Sequence, residues 1–369
     1  MNKNIILNNG EKMPIIGIGT DLVRDGLEVK TMIKSAIYAG YRLIDTADLY
    51  GNERGIGEAI KECIDEGIVK REDLFIQTKA PFHFDRYNYT YKSLDVQLQR
   101  LGLDYVDMYL LHHAYRGSFT WRWQVMDIYR ALETLYRQGK TKNIGVCNFG
   151  KMHLNYLLSE CDIKPQINQI EFHPQHQQRG VVELCKKNDI QVQGWGTLNN
   201  GRIFDEPLFD EIGKNYNKNA AQIAIKYAIQ KGVAPLVRSQ KPNRQKEMLD
   251  VFNFEINSAD MKKLDDLDGG EFSHNHEGEP IEEAIKSKQI EIKKYKMFGF
   301  LPFMKKYKKN RRITKYYLFG IPIVKTDKKI IEIPKDKQTK TLAGVERERE
   351  RERESNPANP QKSKKGSLK

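Results

Sequence analysis

From about residue 13 to residue 252, short runs rich in Ile, Leu, Val and Tyr alternate with longer amphipathic stretches in one constant order. The short runs are Ile15–Gly19, Tyr41–Asp45, Leu74–Lys79, Val106–Leu111, Thr141–Val146, Gln166–Ile170, Ile190–Trp195 and Val233–Val237. Their length and β-branched content predict strands, and each is followed by a helical pattern. Glu53–Glu66 places Ile56, Ile60 and Ile64 four residues apart, which predicts a helix with one apolar stripe facing a sheet. The last helix is predicted to begin near Pro242, where the missing N–H of proline costs nothing in a first turn. Eight βα units in about 240 residues predict an α/β fold of the (β/α)8 TIM-barrel type, with its active site at the C-terminal strand ends. A doubly wound sheet is the rival. It calls for a GxGxxG turn after the first strand, and Gly17-Ile-Gly19-Thr-Asp-Leu22 lacks the final glycine.

The pattern stops after Gly269-Gly270. A Lys-, Tyr- and Phe-rich stretch follows, and Arg347 to Glu354 then alternates Arg and Glu with no apolar face that could join a core. We therefore expect a barrel over 1–285, an irregular basic and aromatic extension over 286–345, and a low-complexity tail over 346–369. Charge changes the picture only here. The chain carries +13, but residues 1–285 hold 36 Lys+Arg against 40 Asp+Glu, so the barrel is near neutral and the remainder carries +17. The four cysteines, Cys63, Cys147, Cys161 and Cys185, are scattered without a CxxC pair. No apolar run reads as a signal peptide or a membrane span. A cytoplasmic location is expected.

Four polar residues fall at or just beyond predicted strand ends: Asp45, Tyr50, Lys79 and His112. In a barrel those positions converge on one mouth. Any one alone would more often be a solvated or structural residue, but four on successive strands point to chemistry. The segments carrying them, Gly40-Tyr-Arg-Leu-Ile-Asp-Thr-Ala-Asp-Leu-Tyr-Gly-Asn-Glu53 and Val106-Asp-Met-Tyr-Leu-Leu-His112, together with Gly145-Val-Cys-Asn-Phe149 and Asn168-Gln-Ile-Glu-Phe-His-Pro174, closely resemble the signatures of the aldo-keto reductase family, in its bacterial diketo-gluconate reductase-like branch. The opening Asn9–Thr20 is similar to that family's N-terminal β-hairpin and first strand. The resemblance spans roughly residues 5–270.

The resemblance implies that Tyr50 is the general acid, with Lys79 beside it, Asp45 holding Lys79, and His112 orienting the substrate carbonyl. A free phenol near pKa 10 is a poor donor at neutral pH, and we expect a lysine at about 4 Å to lower it. The resemblance also implies NADPH as cofactor. Cys147, Asn148 and Gln169 would meet the nicotinamide carboxamide, Trp195 would stack on its ring, and Arg238, Ser239, Arg244 and Glu247 would hold the adenosine end, where guanidinium forks suit a 2′-phosphate. Cys147 stands where the family commonly has Ser, Met248 where it often has an adenine-contacting Asn, and His113-Ala114 where it often has Trp-Pro.

Phe82, His113 and Trp121 are expected to line the substrate pocket. The polar segment after the barrel offers no long apolar flap, so a small polar carbonyl is expected: a keto sugar, sugar acid or 2-oxoaldehyde. No metal is expected, since His173-Pro-Gln-His176 and His274-Asn-His276 lack an HExxH or thiolate context. The alternative is a cofactor-binding sensor whose tail docks a partner or membrane, although a pure scaffold need not keep all four residues. In the tail, Lys315-Tyr-Tyr-Leu-Phe-Gly-Ile-Pro-Ile-Val-Lys325 is similar to a short motif of bacterial surface-polysaccharide enzymes. Peripheral association with a membrane or a polysaccharide pathway is expected in preference to nucleic-acid binding, and the chain is expected to be a monomer.

Overall fold

The structure is a computed structural model that describes residues 4–81, 86–114, 121–269, 291–295, 304–309, 313–318 and 321–323. The chain divides into two compact units, Met1–Gln289 and Ile290–Lys369. In the first, β1 (Asn4–Ile6) and β2 (Lys12–Pro14) form an antiparallel hairpin. The eight strands of the repeat follow: β3 (Gly17–Gly19), β4 (Leu43–Asp45), β5 (Phe75–Ala80), β6 (Met108–Leu111), β7 (Ile144–Cys147), β8 (Ile167–Glu171), β9 (Gln191–Trp195) and β10 (Ala234–Val237). They pair in parallel from β3 through to β10, and β10 closes on β3. The predicted α/β barrel is the observed one.

Several strands start later than the hydrophobic pattern suggests. Val106 and Thr141 meet only as an isolated bridge ahead of β6 and β7. Tyr41, two residues before β4, turns its hydroxyl to donate to the Gln245 carbonyl at 3.1 Å and so packs outward onto the last helices.

Two apolar layers follow from strand alternation. Inside the barrel, Leu43, Phe75, Met108, Leu110, Ile167 and Leu236 pack on Met13 of the hairpin, which plugs the N-terminal end. Outside, the helices bury their stripes against the strands. Ile56 and Ile60 of the helix Glu53–Asp65 are fully buried, each worth about 1.5–3 kcal/mol relative to exposure. Ile64 is only partly covered. That helix also approaches its neighbour closely at Gly57, where a Cβ would stand 2.3 Å from the Leu101 carbonyl oxygen.

In the second unit, β11 (Glu291–Tyr295), β12 (Met304–Lys309), β13 (Ile313–Leu318) and β14 (Ile321–Ile323) form a four-stranded antiparallel sheet in that order. An extension read from sequence as irregular thus contains regular pairing. Its Ile and Tyr residues, alternating with lysine, favour the pleated conformation. The tail 346–369 lies outside the described residues. No helix among the described residues is long and apolar enough to cross a membrane.

Candidate active site

The barrel mouth is an open cavity of about 800 Å³. Asp45 ends β4, Lys79 lies one residue from the end of β5, His112 follows β6, Asn148 follows β7, Trp195 ends β9 and Arg238 follows β10. Tyr50 sits in the single 3-10 turn Asp48–Tyr50 between β4 and the next helix, and Gly51 exits that turn at φ 63°, a conformation that favours glycine.

That turn is clamped from below. Buried Asn52 donates to the carbonyls of Thr20 (2.8 Å) and Val23 (2.9 Å) and accepts from the Thr46 hydroxyl at 3.0 Å. Arg100 reaches across from a neighbouring helix to both Asp48 and Glu53, at 2.9 Å each. Burial nevertheless raises the Glu53 carboxyl above its ordinary pKa, with Arg100 opposing.

Lys79 is fully buried beneath Tyr50. Its ammonium donates to both Asp45 oxygens at 2.8 Å, to the Thr46 carbonyl at 3.0 Å and to the Tyr50 hydroxyl at 3.1 Å. Burial works against its charge, but the Asp45 carboxylate and the Tyr50 oxygen outweigh it and raise the ammonium above its ordinary value. The expectation for Tyr50 needs correcting. Desolvation of the phenolate is the largest effect and raises the phenol above 10, while Lys79 only partly offsets it and Asp45 adds to the rise. The lysine's field is already spent on Asp45, which sits against it on the far side.

His112 presents its ring edge-on to Tyr50, with centroids 5.9 Å apart and planes at 82°. His113 stacks on His112 at 4.4 Å, nearly parallel, and lines the cavity. The Trp195 indole N–H donates to Asn148 Oδ1 at 2.9 Å, which leaves the amide nitrogen facing His113 Nδ1 at 3.1 Å. Asn148 holds φ at 60°, uncommon for a residue with a side chain, with its own N–H on the Gln169 carbonyl. Cys147 donates its thiol to Gln169 Oε1 at 3.3 Å, and burial pushes that thiol up to about 12. Arg238, Ser239, Arg244 and Glu247 line the far end of the same cavity, beside Met248.

The structure therefore brings together Asp45, Tyr50, Lys79 and His112 with all eight residues expected at the cofactor, Lys79 lying just under the surface of the cavity. Of the expected pocket residues, His113 is present and Phe82 lies outside the described residues. Trp121 is elsewhere. It is buried in the helical layer, edge-on to His153 and Tyr156, and belongs to the core.

Sequence reasoning missed two kinds of residue. One is the loop after β9, where Leu198, Asn200, Gly201 and Phe204 line the cavity; the turn-forming run Gly196–Gly201 was its signal. The other is a buried amide network. Gln77 on β5 donates to Asp45 Oδ1 at 2.6 Å and to Gln193 Oε1 at 2.8 Å, and Gln169 donates to the same two oxygens at 3.0 and 2.8 Å. No group of three potential ligands for a metal ion occurs among the described residues.

Known proteins share this fold and much of this sequence. The model of the Aldo/keto reductase family matches residues 16–269. A glyoxal reductase of Bacillus subtilis is 40% identical over 265 residues, covering 72% of this chain and 92% of the relative. An aldo-keto reductase from a Medee basin deep-sea metagenome library superimposes with a TM-score of 0.67 at 36% identity, over 72% of this chain and 96% of that one. A silkworm aldo-keto reductase solved in complex with NADPH gives a TM-score of 0.69 at 32% identity, over 74% and 89%. With a family model spanning the whole barrel and relatives this similar across it, the chain belongs to the aldo/keto reductase family of oxidoreductases.

Proposed function

We propose that this chain reduces a small polar aldehyde or ketone to the alcohol with NADPH, Tyr50 serving as general acid. The observation that supports it most is the unbroken chain from Asp45 through Lys79 to the Tyr50 hydroxyl, opening into a cavity whose other end carries Arg238 and Arg244. The donor set suits the dinucleotide. Asn148 and Gln169 offer amides to a carboxamide, Trp195 a flat ring, and the two arginines with Ser239 a grip on a phosphate monoester. When bound, NADPH supplies the hydride.

The protein's own part is the proton. A phenol raised by burial stays protonated across the neutral range, so the donor is always loaded, but it is a weak acid. It gives up its proton only to an oxygen already gaining negative charge, and Lys79 then stands 3.1 Å from the phenolate left behind. His112 orients the carbonyl oxygen toward the hydroxyl. General acid catalysis of this kind contributes about 10²–10⁴-fold, and alignment of the carbonyl supplies the remainder.

The polar groups at the mouth, His112, His113 and Asn148, with His113 in place of a larger apolar ring, favour keto sugars, sugar acids or 2-oxoaldehydes. The similarity to a glyoxal reductase supports that choice. The test is NADPH consumption by the full chain over a panel of 2-oxoaldehydes, keto sugars and steroid ketones. Turnover of the small polar compounds is expected. Preference for steroids would overturn the substrate class, and tight NADPH binding without turnover of any carbonyl would favour the sensor reading.

A further inference from the structure

Asp21 follows β3, lines the active-site cavity and is exposed there. The turn that carries it is held on several sides. Thr20 donates its backbone N–H and its hydroxyl to the Asp45 carbonyl, both at 3.0 Å. Val23 closes the turn with its N–H on the Thr20 carbonyl at 3.2 Å, and Asn52 binds the carbonyls of both Thr20 and Val23. Arg238 reaches over from the end of β10 and donates to the Asp21 carbonyl. Leu22 sits at φ 61°, a conformation that a residue with a side chain keeps only where its surroundings hold it.

All of these contacts go to backbone on the Asp21 side, and its carboxylate is left over. Among the described residues it accepts no hydrogen bond and pairs with no cation. The other carboxylates on the cavity wall are placed differently. Asp45 is paired with Lys79 at 2.8 Å, and Glu247 lies at the far end, on the same helix as Arg244. Burial is the main cause of the raised Tyr50 phenol, but the charges of Asp45 and Asp21 add to it, so the Asp21 carboxylate is within electrostatic reach of the reacting oxygen.

His113 does not offset that charge. Asn148 gives its Oδ1 to the Trp195 indole N–H, so its amide nitrogen donates to His113 Nδ1 at 3.1 Å. An imidazole that accepts at Nδ1 carries its proton on Nε2 and is neutral.

We propose that Asp21 determines substrate specificity, its carboxylate accepting hydrogen bonds from hydroxyl groups near the reacting carbonyl and repelling a substrate carboxylate. This rests on the reductase reading above and narrows its substrates to neutral hydroxylated carbonyl compounds, keto sugars rather than sugar acids. A hydrogen bond to an ionised acceptor is stronger than one between neutral groups, so a hydroxyl that meets Asp21 gains affinity that a bare alkyl chain does not. A carboxylate in the same place meets a like charge across a cleft from which the substrate has displaced water, where screening is weaker than in bulk.

The test compares propanal, D-glyceraldehyde and succinic semialdehyde as substrates of the full chain with NADPH. Beyond the aldehyde, the first carries no polar group, the second hydroxyls and the third a carboxylate. The wild type should rank them by kcat/KM with D-glyceraldehyde first and succinic semialdehyde last, and added salt should narrow the gap between succinic semialdehyde and propanal. Asp21→Asn keeps the shape and the carbonyl that Arg238 holds but removes the charge. Taken relative to propanal, which absorbs any change at Tyr50, kcat/KM for succinic semialdehyde should rise about tenfold and that for D-glyceraldehyde should fall several-fold. Unchanged ratios in the Asn variant, a wild-type gap that salt does not move, or a wild-type preference for succinic semialdehyde over propanal would each overturn the role of Asp21 and leave the reductase standing. If neither these aldehydes nor any carbonyl of the panel above consumed NADPH, the reductase reading would fail and this inference with it.

Discussion

Gln77 Nε2 lies 2.6 Å from Asp45 Oδ1, the same oxygen that accepts from Lys79 at 2.8 Å. Their backbones are in register on adjacent strands, and Gln193, across the barrel, accepts from the same amide. The carboxylate that holds Lys79 is therefore itself held, and a hydrogen bond to a charged acceptor contributes about 1.5–3 kcal/mol. Gln77→Val should lower kcat by up to about tenfold through a looser Lys79 and Tyr50. NADPH affinity should be unchanged, because Gln77 does not line the cavity. Steady-state kinetics beside a fluorescence titration of NADPH would check this, and equal losses in both would contradict a positioning role.

Tyr50→Phe removes the proton donor and leaves the ring. Turnover should fall by about 10²–10⁴-fold while NADPH binding stays nearly intact. A variant with full activity would mean that another group donates the proton.

Lys79→Met leaves Asp45 buried beside a neutral side chain. Breaking a buried pair in this way costs about 3–5 kcal/mol, so both stability and turnover should drop. Urea denaturation would read the first and NADPH consumption the second. Unchanged stability would show that Gln77 and Gln169 satisfy the carboxylate by themselves.

Arg244→Ala should weaken NADPH much more than NADH, as expected for a guanidinium facing a phosphate that only one of the two carries. Equal weakening would remove Arg244 from the 2′-phosphate. Ratios of Kd measured for both cofactors decide it.

Stability should respond to alkali with a definite sign. Burial raises the phenols of Tyr41 and Tyr109 above their ordinary value, as it does Tyr50. Above pH ~10 the unfolded chain releases these protons and the folded chain keeps them. Stability should be flat through the neutral range and then fall, by about 1.4 kcal/mol per pH unit for each such phenol. Denaturation midpoints on either side of that pH would test it, and a rise would refute the burial argument.

Much of this protein was legible along the chain. A two-residue period in the strands and a near-four-residue period in the helices report local geometry, so the eight βα units and the buried faces at Ile56 and Ile60 could be read directly. Barrel closure then converges the strand ends, which is why Asp45, Tyr50, Lys79 and His112 could be grouped before any coordinates. What the tertiary structure alone decided depends on groups far apart in sequence. Gln77 and Gln193 meet across 116 residues, and nothing local marks either as more than a strand residue. The direction of the Tyr50 shift turned on how much water the fold excludes and on Asp45 already occupying Lys79. Trp121 went to the core because its helix presents that face to His153 and Tyr156. In the second unit, the lysines and aromatics were plain in sequence, but the antiparallel order of their strands was not. Periodicity is a property of neighbours, whereas burial and the meeting of distant side chains are properties of closure.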